Sequence, residues 1–198
     1  MKNYYYYYFL IIPLLLSACS TGNISQQFSP QKNLTVFNKR GEQRDISLKD
    51  FIQPKETQAI LDKNIFPSTA DLYFIEEVIH FVKTLPYRKD SSDFWNYVPE
   101  TLKNGGDCED KAHLLASLLI QSGFPDVYVV KGEIKQGLLK IRKGHTWVEL
   151  TLDHKKYILE TLPTKKNIRK SLKNCGYFPF FKYNDKEIFY CIESKIDA

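Results

Sequence analysis

The stretch NGGDCEDKAHLLASLLIQSG, Asn104 to Gly123, constrains this chain more than any other. Two glycines permit a sharp turn, Gly106 or Asp107 offers a cap, and Ala112, Leu115, Ala116 and Leu119 recur at helical spacing up to Gly123. A helix is therefore expected to start beside Cys108 and to bury an apolar face. A structural cysteine prefers apolar neighbours, yet Asp107, Glu109 and Asp110 crowd this one. Unpaired backbone N–H groups and the dipole at a helix start favour an anion, so Cys108 is expected to be held as a thiolate. The three carboxylates oppose that charge unless they turn aside, cap the helix or bind a cation.

The segments around it set the fold class. STADLYFIEEVIHFVKTLPY reads as a helix, with a cap at Ser68 or Asp71, an apolar stripe of Leu72, Ile75, Val78, Ile79, Val82 and Leu85, and a stop at Pro86. His80 lies off that stripe. PKETQAILDKNIF reads as a shorter helix and LTVF as a short strand. DVYVV, GHTWVELTL and KKYILETL read as strands, the last two joined antiparallel around Asp153-His154. GYFPFFKYNDKEIFY adds two more strands around Asn184-Asp185-Lys186. The expectation is an α+β domain whose Cys108 helix packs on an antiparallel sheet. With 198 residues, 43% of them hydrophobic and 26% charged, the chain can bury one sizeable core and is neither disordered nor repetitive.

A thiolate needs a proton partner. His145 follows Gly144 at the opening of a strand and is the best placed of the four histidines. His113 lies too far round the helix from Cys108, and His154 falls in a turn. The imidazole needs an orienting acceptor in its turn. With a two-residue loop at Asp153-His154, strand parity puts Glu160 on the same face as His145 and Trp147, diagonal to the histidine at about 7–8 Å. The backbone N–H of Cys108 is the natural donor to an oxyanion, with Trp95 or Asn96 as candidate side-chain donors. No CxxC or HxxxH spacing argues for zinc, and Gly105-Gly106 is too short for a phosphate loop.

At these residues a resemblance appears. W…PETL…GGDCEDKA over Trp95 to Ala112, then GHTWVEL, then YILETLP, resemble the transglutaminase-like superfamily, closest to bacterial transglutaminase-like cysteine proteinases, over roughly Leu72 to Pro163. The resemblance implies a papain-like core with Cys108 as nucleophile, His145 as base and Glu160 where the family usually has aspartate. It also implies calcium held by Asp107 and Glu109, although the chemistry itself requires no cofactor. The implied activity is that of a thiol hydrolase, a cysteine protease or amidase, acting on a protein or peptide substrate. An amine acceptor would make the same machinery an amide-crosslinking acyltransferase. A non-catalytic binding lipoprotein of the same fold is the alternative from another class.

The first residues, MKNYYYYYFLIIPLLLSACS, read as an export signal over 1–18, and Leu16-Ser17-Ala18-Cys19 resembles a lipobox, which makes Cys19 the expected lipidated residue. Residues 19–33 read as a polar tether and 34–198 as a single domain, with its core at about 68–163 and a strand-rich C-terminal extension. The expected place is a membrane-anchored lipoprotein, on the outer membrane facing the periplasm if the cell is Gram-negative. In an oxidising compartment Cys175 and Cys191 are a candidate disulfide, leaving Cys108 as the odd thiol. A net charge of +5, spread along the chain, is not the footprint of a nucleic-acid binder. No motif names a regulating partner.

Overall fold

The computed structural model of the chain describes residues 26–31, 36–37, 43–44, 47–63, 66–67, 70–89, 95–136, 141–162, 166–170 and 176–193. Its strands are β1 (Gln26–Gln31), β2 (Val36–Phe37), β3 (Gln43–Arg44), β4 (Val127–Gln136), β5 (Ile141–Leu152), β6 (Lys155–Leu159), β7 (Ile168–Lys170), β8 (Tyr177–Tyr183) and β9 (Ile188–Glu193). Its helices are α1 (Gln58–Leu61), α2 (Leu72–Thr84), α3 (Val98–Asn104) and α4 (Cys108–Gln121), preceded by 3-10 turns at Leu48–Phe51 and Pro54–Thr57. Seven strands form one sheet in the order β1-β9-β8-β4-β5-β6-β7, every neighbouring pair antiparallel, and β2 and β3 pair separately. This is the expected α+β architecture.

Helix α4 is the axis of the core. Residues Glu109 to Leu119 are all buried, because α2, α3, the Pro54–Thr57 turn, β4 and β5 pack around it. A helix enclosed on every side must satisfy its few polar side chains internally. Lys111 Nζ donates to the Leu85 carbonyl at 2.7 Å. Ser117 Oγ accepts the Gln53 amide at 2.9 Å and donates to the His113 carbonyl at 2.7 Å. His113 Nε2 meets the Tyr183 hydroxyl at 2.6 Å. Burial holds that imidazole neutral, its pKa lowered to about 3.

The β5–β6 connection is the two-residue turn at Asp153-His154. Both residues take left-handed backbone, φ 49° and 60°, the conformation whose twist matches the flanking strands of a tight hairpin. The register that follows pairs Val148 with Leu159 and Leu150 with Tyr157. Val127, Val129, Val148 and Leu150 face the helices, while Val130, Ile134, Trp147 and Ile158 form a smaller buried cluster on the other face.

Several details differ from the expectation, among them α3 and β7, which the sequence reading did not place, and β5, which begins at Ile141 rather than Gly144. Leu72 is 40% exposed and Phe74 takes its place in the core, because Asp71 caps α2 through the amides of Tyr73 and Phe74 and leaves Leu72 on the outer side of the first turn. Ser68 lies outside the described residues. The strand expected as DVYVV continues to Gln136, since β8 and β5 pair it on both sides. Within the expected tether, Gln26–Gln31 forms β1 and pairs with β9, so backbone pairing offered by a distant strand recruits a segment whose composition reads as coil.

Candidate active site

The turn before α4 is fixed by close backbone approach. Gly105 has φ +77°, and a Cβ there would lie 2.1 Å from the Pro86 carbonyl oxygen. A Cβ on Gly106 would lie 2.3 Å from Asp110 Oδ2. Gly106 donates to the Pro86 carbonyl at 3.1 Å and its own carbonyl accepts the Arg88 amide at 3.1 Å. Only glycines fit between the residues following α2 and the first turn of α4. Asp107 is the cap of α4, with Oδ1 accepting the Glu109 amide at 3.1 Å, and Cys108 is therefore the first helical residue.

The three carboxylates take three different roles. Asp107 caps. Asp110, buried, accepts from the Asn96 amide at 2.7 Å, the Asn96 side chain at 2.8 Å and the Asp107 amide at 3.2 Å. Glu109 alone turns to the sulfur, and the Cys108 thiol donates to its Oε2 at 2.9 Å. Its other oxygen accepts from Lys131 Nζ at 3.1 Å, and the same ammonium sits 4.7 Å from the centre of the Trp95 ring. Lys131 pulls the Glu109 carboxyl below its ordinary range in spite of burial.

These contacts correct the expectation of a resting thiolate. Burial first, then the charge and hydrogen bond of Glu109, then Asp107, push the Cys108 thiol well above the ordinary thiol range. The backbone amide of Thr146, close to the sulfur, opposes them more weakly by favouring the thiolate. That contact also places the sulfur against β5, one residue from His145.

His145 and Glu160 are brought together. His145 Nε2 lies 3.0 Å from Glu160 Oε2 and 3.2 Å from Oε1, with both side chains buried. The strand parity that the Asp153-His154 turn imposes is what aligns them. The Glu160 backbone donates to the Asn167 carbonyl at 2.9 Å, which fixes the residue just beyond the end of β6. Since Nε2 is engaged, Nδ1 is the ring nitrogen left for a partner on the opposite side.

Among the expected oxyanion donors, Asn96 gives one of its two side-chain N–H groups to Asp110, which turns the amide toward that carboxylate. Trp95 packs edge-on to Phe51 at 5.3 Å and against His113 at 5.3 Å. Phe51 also stacks on Tyr97 at 5.0 Å, so an aromatic cluster holds residues 95–97 beside the start of α4. Cys19 and Cys175 lie outside the described residues, and Cys191 is described only as a residue of β9 opposite Phe28.

Three neighbours escaped the sequence. The Tyr177 hydroxyl donates to Glu160 Oε1, and its ring packs edge-on to Trp147 at 5.1 Å, which in turn stacks on His145 at 6.1 Å. Nothing local in β8 announces that role. Tyr87, 46% exposed, has its hydroxyl pKa raised by partial burial and then by the charges of Cys108, Asp107 and Glu109, which puts it at the rim of the site. Lys131 did leave a trace. It occupies the parity of Val127 and Val129, where a cation needs a buried partner.

Asp107, Cys108 and Glu109 bring ligand atoms within 4.8 Å of one another. Burial, followed by repulsion from Glu109 and Asp110, pushes the Asp107 carboxyl up, so this corner is short of positive charge even with Lys131 in place. Carboxylate oxygens in that arrangement fit a hard divalent cation such as calcium.

No family model matches the chain, and no match is found among curated proteins. Solved structures do match. Calcium-bound LapG of Legionella pneumophila is 20% identical, covering 74% of this chain and 94% of its own, with a TM-score of 0.50. The EGTA-treated form of the same protein is 22% identical over 61% of this chain and 67% of its own, also at 0.50. What the chain shares with those structures is its α+β fold, helices packed on an antiparallel sheet.

Proposed function

We propose that the chain is a thiol hydrolase of the transglutaminase-like cysteine protease kind, cleaving peptide or amide bonds with Cys108, His145 and Glu160. What carries this reading is that Thr146, whose amide acts on the Cys108 sulfur, is the chain neighbour of His145, and that His145 Nε2 is held by a buried carboxylate. The likeness in fold to LapG, a transglutaminase-like cysteine protease, supports it.

The steps follow from these positions. Proton transfer from the Cys108 thiol to His145 Nδ1 gives a thiolate and an imidazolium, with Glu160 stabilising the positive ring through Nε2. The thiolate attacks the carbonyl carbon, and the Cys108 backbone N–H, at the start of α4 and without a partner among the described residues, donates to the developing oxyanion. As the C–N bond breaks, the imidazolium proton passes to the leaving amine, and the acyl group remains as a thioester. The neutral imidazole then takes a proton from water while the oxygen attacks the thioester. Loss of the thiolate releases the acid and restores the ion pair.

Glu109 opposes the first step while it accepts the thiol proton. With a divalent cation held by Asp107 and Glu109, the negative charge beside the sulfur is offset and the thiolate form becomes accessible. LapG has been solved both calcium-bound and EGTA-treated, in keeping with this assignment. The test is the rate of iodoacetamide alkylation of Cys108 between pH 4 and 9, with calcium or with EGTA. In calcium, labelling is expected well below the ordinary thiol range near pH 8.5 and at least about 10-fold faster at pH 6 than in EGTA. Labelling that simply follows ordinary thiol titration in both conditions would favour the non-catalytic binding reading. Calcium-independent labelling at low pH would remove the cation but keep the hydrolase.

Glu160 is one methylene longer than aspartate, and the Tyr177 hydroxyl occupies the oxygen that faces away from the closer histidine contact. Tyr177→Phe keeps the ring against Trp147 and removes only that donor. Its alkylation rate at pH 6 is expected to fall about 10-fold, the low end for loss of an orienting hydrogen bond. In a Glu160→Ala background the same change should have no further effect, and an equal loss there would make Tyr177 a packing residue only.

The N-terminal reading, a lipid on Cys19 that tethers the domain to a membrane, is part of the same proposal. Radiolabelled palmitate supplied to cells expressing the full chain is expected to enter the protein and to be absent from Cys19→Ala; equal incorporation in both would discard it.

A further inference from the structure

Strand β5 is longer than the strand beside it. It pairs with β4 from Ile141 to Leu150, but with β6 only from Val148 to Leu152. Residues Ile141 to Trp147 overhang on the β6 side, and among the described residues no strand covers them there.

The direction of the backbone groups on this overhang is fixed by two bonds. The Thr151 amide turns to the Asp126 carbonyl on the β4 side, and the Glu160 amide turns to Asn167 on the β7 side. Odd residues of β5 therefore face β4, and even residues face β6. The Thr146 amide agrees, because it reaches the Cys108 sulfur rather than β4. Arg142 and Gly144 accordingly turn N–H and C=O to the open side, and residues Ile141 to Gly144 are all exposed. An exposed strand edge is a template that proteins ordinarily blunt or cover. This one leads directly to the sulfur, which stands where the carbonyl of a neighbouring strand would stand opposite Thr146.

We propose that the overhang is the substrate-docking edge, and that the substrate is an extended polypeptide segment which adds to β5 as a strand along the line of β6. This deepens the hydrolase reading and rests on it only for the delivery of a peptide bond to Cys108. Pairing to Arg142 and Gly144 supplies affinity through main-chain hydrogen bonds and little sequence discrimination. A Cβ built on Gly144 meets nothing within 4 Å, so the strand next to His145 leaves room for the arriving chain. Exposed Arg142, Lys143 and Lys135 flank the edge; Glu133 pairs with Arg142 at 3.6 Å and offsets one of these charges, so a net positive charge remains that favours acidic side chains on the guest. Helical segments and small amides cannot make the ladder and are poor guests.

The first experiment does not depend on catalysis. Amide hydrogen exchange is followed in the full chain carrying Cys108→Ala, with and without millimolar acetyl-(Glu-Val)3-amide. Exchange at Arg142 and Gly144 is expected to slow at least about fivefold, with the β4-facing amides of Lys143 and His145 unchanged. No slowing at either edge amide overturns the proposal. Protection that is present without peptide and grows with protein concentration overturns it too, and assigns the edge to a second copy of the chain. The second experiment compares inactivation of Cys108 by acetyl-Glu-Val-Glu-Gly chloromethyl ketone and by the same compound N-methylated at alternate amides. The unmethylated compound is expected to react at least about 10-fold faster in the wild type, and the ratio to approach one in Gly144→Pro or Arg142→Pro. A ratio near one in the wild type overturns docking along this edge, whereas loss of the iodoacetamide profile described above defeats the hydrolase reading alone.

Discussion

Replacing His145 by alanine is expected to remove at least about 100-fold of the rate at which iodoacetamide labels Cys108 at pH 6 in calcium. The arithmetic is that of thiolate population. A thiol titrating near pH 8.5 is only about one part in 300 ionised at pH 6, so rapid labelling there requires an imidazolium to hold the charge. In this chain the requirement is stiffer, since burial and Glu109 raise the thiol further. Cys108→Ser should abolish labelling of the α4 peptide, and Glu160→Gln should cost about 10-fold, because the imidazole keeps a hydrogen-bond partner but loses its counter-charge. If His145→Ala labels as fast as the wild type, the ion pair does not exist and the Thr146 contact is merely packing.

The second large effect is structural. Gly132 pairs with His145 across β4 and β5 and with Pro179 across β4 and β8, next to a bulge between Lys131 and Gly132. A Cβ at this position would lie 2.1 Å from the Phe178 carbonyl oxygen and 2.8 Å from Pro179 Cα. Both are backbone atoms, which cannot swing aside as a side chain would. Gly132→Ala must therefore push β8 away from β4 at a cost of about 2–3 kcal/mol, lowering the melting temperature by about 4–12 °C in a chain of this length. Tyr177 precedes Phe178, so the same displacement loosens its hold on Glu160 and should slow Cys108 labelling at pH 6. Thermal denaturation beside the wild type checks the first part; a midpoint within about 1 °C would mean that β8 yields without cost.

The two results probe different layers of the site. The Asp107 cap that puts Cys108 at the start of α4 and the meeting of His145 with Glu160 were legible because each follows from a rule spanning a few residues. Glycines and Asp107 start α4, a two-residue turn at Asp153-His154 sets parity, and parity brings Glu160 to His145. The carboxylates around the sulfur were legible as a conflict but not in its resolution. Which of them meets the thiol depends on Asn96, 14 residues before Asp110, and on Lys131, 22 residues after Glu109. Asn96 reads as an oxyanion donor from the sequence, and only the fold shows its side-chain amide turned to Asp110.

By itself, then, the amino-acid order determined where α2, α4 and β6 begin, which face of β5 carries His145, and that a cysteine stands at the mouth of a buried helix. These are short-range matters of backbone sterics, capping and period. The packed chain alone decided that Glu109 accepts the thiol's hydrogen bond, that Tyr177 from the C-terminal strands holds Glu160, that Gln26–Gln31 joins the sheet, and that β5 outruns β6 beside the sulfur. Those outcomes turn on side chains and strand ends far apart along the chain, whose meeting is set by how the core closes and by no local preference of their own.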